Sequence, residues 1–348
     1  MSRVLPAIAF VLAPALALAQ TPEEFYRGRQ ITMLVGAGAG GGYDVYARVW
    51  AKHASRHIPG QPQIVAKNMP AAGGIAASNA LFNNSDRDGS IFAALPNGVS
   101  MDPLAGVAQA RYKPLEMAWI GSIGKLQNVC ATWHTSPVKT IAHARERETV
   151  VAGAGATSNT AIMPRIINEL LGTRFKVVAG YDPTGGLNMA LERGEAEGIC
   201  GLSWSTMKAS RPHWIKDKLL NVIVQVGVEK LPDLPDVPSA LELVKDAGSR
   251  QVLELVLIRQ EIGRPLVLPP GVPADRVAAM RRAFEATLKD AAFLAEAAKS
   301  GMEIEPLSGP QIEAMLAKAY GAPAAVVARM VDLLKPSPSS GAKGGKSK

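Results

Sequence analysis

Short apolar runs, each closed by a turn of small residues and followed by a helical period, recur along this chain. Ile31 to Val35 reads as a buried strand that breaks into Gly36-Ala37-Gly38-Ala39-Gly40-Gly41-Gly42; from Tyr43, Val45 and Val49 with Arg48 and Lys52 set a helical pattern. Gln63 to Lys67 predicts a second strand, and Asn68-Met-Pro-Ala-Ala-Gly-Gly a second glycine turn opening a helix over Ala76 to Phe82. Ser90 to Leu95 predicts a third strand, running into Pro96-Asn97-Gly98. Repetition of strand, small-residue turn and helix predicts a parallel sheet whose carboxyl ends form a crevice.

The rhythm returns further on. Ala118 to Ile123 and Val129 to Thr132 read as strands leaving the first unit. Val150 to Ala154, Phe175 to Ala179 and Gly198 to Leu202 then each end in a small-residue loop at a helix start. Asn221 to Gly227 predicts one more strand, and Leu231-Pro-Asp-Leu-Pro-Asp-Val-Pro an extended crossing segment. A helix over Arg250 to Ile262, a strand over Pro265 to Leu268 and further amphipathic helices complete the pattern. The expected division is 25–123 with 232–334 as one lobe, 124–231 as the other, and 335–348 as a flexible tail of Pro, Ser, Gly and Lys.

The N-terminus fixes the expected compartment. Arg3, an apolar stretch from Val4 to Leu18 broken by Pro6 and Pro14, and Ala17-Leu18-Ala19 read as a secretory signal, 1–19, cleaved after Ala19. The mature chain is therefore expected to be exported and soluble. The net charge of +8 falls to +7 once Arg3 leaves, an excess that suits attraction of anionic solutes. No basic stripe interleaved with aromatics is present, so nucleic acid is not expected as a partner.

These facts bear on the glycine loop. Gly36, Gly38 and Gly41 fit the dinucleotide spacing G-x-G-x-x-G. That site also needs an acidic residue near the end of the second strand, and between Asp44 and Asp86 the chain carries neither Asp nor Glu. An exported protein meets no NAD(P)H pool either, so no cofactor is expected. What remains is the general chemistry of the motif: glycine backbone and the free N–H groups of a helix's first turn, arranged to hold an anion.

Other constellations are weaker. His53 and His57 have the spacing of a shared metal site but lack the glutamate of a zinc hydrolase, so no metal is expected. Gly201-Leu-Ser203-Trp-Ser205 lacks the second glycine of a nucleophile elbow, leaving an exported hydrolase based on Ser203, with His134 or His213 as base, as the alternative activity. Trp133, Trp204 and Trp214 are expected in packing, with Trp204 held open as a cleft residue. Cys130 and Cys200 lie in apolar contexts; an exported chain with two cysteines favours a disulfide, against a pair of buried thiols.

The ordered set Ile31 to Arg48, Asn68-Met-Pro-Ala-Ala-Gly-Gly, Asp88-Gly89, Leu234-Pro-Asp-Val-Pro238 and Leu268-Pro-Pro-Gly-Val-Pro-Ala274 resembles the periplasmic solute-binding receptors of tripartite tricarboxylate transporters, the Bug family. The resemblance spans about Phe25 to Leu334. It implies an α/β, two-lobed periplasmic binding protein (type II, Venus flytrap), each lobe a mostly parallel sheet flanked by helices. It implies no enzyme but a monomeric receptor for a small carboxylate, a mono- or dicarboxylate, aromatic or not, whose partners are inner-membrane permease subunits; a sensing role is the variant. The implied site is Ala37, Gly38, Ala39, Gly40, Gly41, Gly42, Tyr43 and Asp44 in the first loop, Ala72, Gly73 and Gly74 in the second, and Asn97 in the third. From the second lobe come Ser158, Asn159, Thr160, Thr184, Gly185, Gly186 and Ser203. The chain departs from the family pattern at Ala71, where glycine is usual, and at Tyr43, where serine is common.

Overall fold

The computed structural model describes residues 20–155, 158–182 and 185–335. The expected signal sequence, Thr184 and the tail beyond Lys335 lie outside the described residues. Among the described residues eleven strands form two sheets. The first contains β1 (Gln30–Val35), β2 (Gln63–Asn68), β3 (Ile91–Ala94), β4 (Ala118–Ser122), β10 (Pro265–Leu268) and β11 (Leu307–Ser308), in the order β11-β4-β10-β3-β1-β2. The second contains β5 (Asn128–Trp133), β6 (Thr149–Gly153), β7 (Phe175–Ala179), β8 (Gly198–Ser203) and β9 (Leu220–Val226), in the order β7-β6-β8-β5-β9. Helices flank both sheets, giving two lobes. Among the described residues no helix is long and apolar enough to cross a membrane.

The sheets are mixed rather than mostly parallel. In each, one half is parallel (β2-β1-β3 and β7-β6-β8) and the other antiparallel. The cause is the chain's double passage between lobes. β4 leaves the first sheet at the carboxyl ends of β1 and β3, and β5 begins at the same level of the second sheet, with Asn128 opposite Ser203. β9 comes back to that level, and β10 runs down against β3 and β4. A strand that arrives from the cleft side must run against those that point into it. The two crossings touch backbone to backbone. A Cβ on Gly263 would lie 2.4 Å from the Gly124 carbonyl oxygen, so only glycine fits that approach.

Period-two burial places Ile31, Met33 and Val35 on one face of β1 and Leu34 on the other. The first face packs with Trp50, Phe92, Phe284 and Phe293 into one core. Leu34's side joins a core that continues into the second lobe through the helices Asn159–Leu171, Ala247–Glu261 and Ala324–Leu334. A third core covers the far face of the second sheet and contains Trp204 and Trp214, each almost wholly buried. Trp204 Nε1 donates to Asp233 at 3.1 Å, so this side chain belongs to packing and not to the cleft. Trp133 stacks edge-on against Trp214.

Cys130 and Cys200 face each other across the antiparallel β5–β8 pair and are joined as a disulfide spanning 70 residues of chain. His53 and His57 do not converge on a common point. His53 Nε2 meets Glu296 at 2.7 Å and His57 Nε2 meets Asp290 at 2.8 Å, pinning the helix Gly42–Ala54 and the turn after it to the helix Ala291–Lys299. His53 is buried. Among the described residues no cluster of His, Cys, Asp or Glu could hold a metal ion.

Candidate functional site

Three loops at the carboxyl ends of β1, β2 and β3 build the first wall of a cleft between the lobes. Their packing explains the glycines. A Cβ on Gly36 would stand 2.7 Å from Pro96 Cδ, and one on Gly74 2.6 Å from the same atom, so the loops can meet only where both residues lack side chains. Ala72, Gly73 and Gly74 follow one another in the left-handed region, at φ 52°, 66° and 94°. Glycine adopts that conformation freely, while Ala72 is held there at a local cost.

The first loop ends at the helix Gly42–Ala54, whose N-cap is Gly41 and whose first turn no side chain caps. Its N–H groups and the positive end of the helix dipole are therefore left to the cleft. Asp44 lies in that first turn but turns away. Its buried carboxylate accepts from the Gly40 N–H at 2.9 Å, Arg48 Nε at 2.8 Å and Asn68 Nδ2 at 2.8 Å, tying the first loop to the second. Burial works against ionisation of Asp44, but these donors, Gly40 first, outweigh it and hold its pKa below the ordinary carboxylate value. The Tyr43 hydroxyl accepts from the Asn97 N–H at 3.2 Å, linking the first loop to the third; burial pushes its pKa up.

The second wall comes from the other lobe. The helix Asn159–Leu171 has N-cap Ser158 and again no side-chain cap. Thr160 Oγ1 is engaged internally, accepting from the Ala154 N–H at 3.0 Å and lying 3.0 Å from Ser158 Oγ. Asp182 accepts from the Gly185 N–H at 3.1 Å, a turn contact. Ser203 caps the helix Trp204–Ser210, accepting from the Thr206 N–H and lying 3.3 Å from Ser205 Oγ. The walls enclose about 660 Å³. They touch through Lys208 of the second lobe, which bridges Asp233 of the crossing segment to Glu303 of the first lobe.

Of the residues expected from sequence, Ala37, Gly38, Gly40, Gly41, Gly42, Tyr43, Asn159, Gly185 and Ser203 line this cavity. Ala39, Asp44, Ala72, Gly73, Gly74, Asn97, Ser158, Thr160 and Gly186 do not line it; they shape or brace the loops beside it. Sequence reasoning missed Tyr46, Asn128, Asn188, Thr206 and above all Arg264, all of which line the cavity. Arg264 is 4% exposed, and its guanidinium lies 3.6 Å over the ring of Tyr46. Its Nε and Nη2 have no hydrogen-bond partner among the described residues. One signal was present, an arginine placed directly between Gly263 and the apolar run of β10. A cation there must be buried or capped.

No family model matches the chain. Its similarity to known proteins is distributed over nearly its whole length. It is 25% identical over 326 residues to a UPF0065 protein of Bordetella bronchiseptica, covering 88% of each chain. Among solved structures, a TctC solute-binding protein from Polaromonas superposes with a TM-score of 0.66 at 19% identity, covering 89% of this chain and 99% of that one. An R. palustris protein solved with adipate gives a TM-score of 0.66 at 17% identity, covering 88% and 97%. The chain therefore has the two-lobed fold of periplasmic binding proteins, and its curated relatives and structural neighbours bear out the resemblance read from the sequence.

Proposed function

We propose that this chain is an extracytoplasmic receptor that captures a small organic anion, a mono- or dicarboxylate, between its lobes and delivers it to the inner-membrane permease of a tripartite tricarboxylate transporter. The observation that carries the reading is the interlobe cavity with an uncapped helix start on each wall, at Gly42 and at Asn159. Such starts hold anions through backbone N–H groups without a positive side chain. The adipate in one structural neighbour is a molecule of this class. In this reading the mature receptor works in the periplasm as a monomer, holding its ligand with the loop at Ala37 to Gly42 on one lobe and Asn159, Gly185 and Ser203 on the other, while Ala71 to Gly74 brace the first loop.

The hydrolase alternative gains no support from Ser203, whose hydroxyl is occupied by Ser205 and the Thr206 N–H and bonds no histidine among the described residues. A thermal-shift screen of mono- and dicarboxylates tests the assignment. At least one should raise the melting temperature in a concentration-dependent way and be recovered unchanged after incubation. Consumption of the carboxylate that disappears in Ser203→Ala would replace the receptor with an enzyme.

A further inference from the structure

We infer that Arg264 is a direct ligand-binding residue, which makes the solute's carboxylate the partner of a buried ion pair as well as the guest of backbone amides. This inference rests on the receptor reading above and adds the group that discriminates charge. Arg264 stands at the junction of the lobes, where its N–H donates to Ser122 Oγ and its carbonyl accepts from Ile123. The side chain lies against Tyr46, and Tyr43 is the next ring, 5.6 Å away. A Cβ built on Gly42 would sit 3.4 Å from Arg264 Nη1 and 3.6 Å from Thr206 Oγ1. The guanidinium, the uncapped helix start and a hydroxyl of the opposite lobe therefore converge on one point.

The electrostatics there are one-sided. A buried guanidinium without an anion is costly, and this one adjoins the positive end of a helix dipole. The nearby carboxylates are engaged elsewhere: Asp44 by Gly40, Arg48 and Asn68, Asp182 by Gly185, and Glu303 by Lys208. A carboxylate in the cavity satisfies both positive groups at once. Arginine's planar fork suits its two oxygens, and the Thr206 hydroxyl adds a donor from the second lobe. Neutral amides of the same shape leave the cation unpaired and are excluded.

Calorimetric titration of the mature protein with succinate, malate and adipate, and with their diamides, tests this on wild type, Arg264→Gln and Arg264→Lys. The carboxylate that binds wild type should weaken about a hundredfold in Arg264→Gln and recover in part in Arg264→Lys, while the diamides fail throughout. Unliganded Arg264→Gln should also melt above wild type, because it removes an uncompensated buried charge. Equal affinity in wild type and Arg264→Gln would overturn the role of Arg264 and leave the receptor intact. Equal losses in both variants together with lower melting temperatures would overturn it too, making the residue a packing element under Tyr46. Absence of binding by any of the carboxylates to wild type would instead overturn the receptor reading on which it stands.

Discussion

Replacing Gly42 by valine is expected to abolish carboxylate binding, by a hundredfold or more, while leaving the fold intact. Gly42 is the first residue of its helix, and the space a side chain would need lies between Arg264 Nη1 and Thr206 Oγ1, at 3.4 and 3.6 Å. A single Cβ would sit in ordinary contact with these groups, but the two valine methyls would occupy the place proposed for the anion. On helix propensity valine is no worse than the glycine it replaces. The damage should thus appear in affinity and not in melting temperature. Gly73→Val makes the contrast. Gly73 is exposed outside the cavity at φ 66°, so valine there should destabilise its loop and weaken binding less. Arg48→Ala should change affinity little, since Arg48 points to Asp44 and Asn68 and not to the cleft. Calorimetry on the three variants would check the order.

Asp44→Ala is expected to destabilise the first lobe by about 3 kcal/mol and to weaken binding through disorder of the glycine loop. The carboxylate is almost completely buried and accepts from three donors. Its removal leaves the Gly40 N–H without its acceptor and takes from Asn68 Nδ2 one of two, the Ala37 carbonyl remaining, a loss of the kind that costs several kcal/mol when a buried charge is involved. The pH dependence has a definite sign. The folded pKa of Asp44 is depressed below its unfolded value of 3.8, so its contribution to stability is present above that value. It is lost as pH falls below 3.8 and through the folded pKa. Denaturant titrations of wild type and Asp44→Ala should therefore converge toward acid pH; a constant gap between them would disprove the linkage.

The sequence carried what depends on neighbours along the chain. Alternation in Ile31 to Val35, the glycine turn after it and the helix beyond were readable because strand period, turn chemistry and helix start are local. The second-lobe loops were readable for the same reason. Strand direction was not, because whether β10 runs with or against β3 depends on a passage through the other lobe. The fate of Asp44 was ambiguous in sequence, since an acid in a first helical turn can cap or bind. Only the arrival of Asn68 from the next loop decides it. The role of Arg264 was harder to read for a stronger reason. Its environment is made by Tyr46, Gly42 and Thr206, which come from distant parts of the chain and both lobes. Its place between Gly263 and the apolar run of β10 is the one local hint of burial, and it does not say that the cation is left unpaired.

Hydrogen exchange of the mature protein with and without a saturating carboxylate tests the central claim most directly, because it reads the backbone amides themselves. The account expects slowed exchange in two separated segments, Gly40 to Val45 on the first lobe and Asn159 with Ser203 to Met207 on the second. Protection confined to one lobe, or lying away from both helix starts, would contradict capture in the cleft between them.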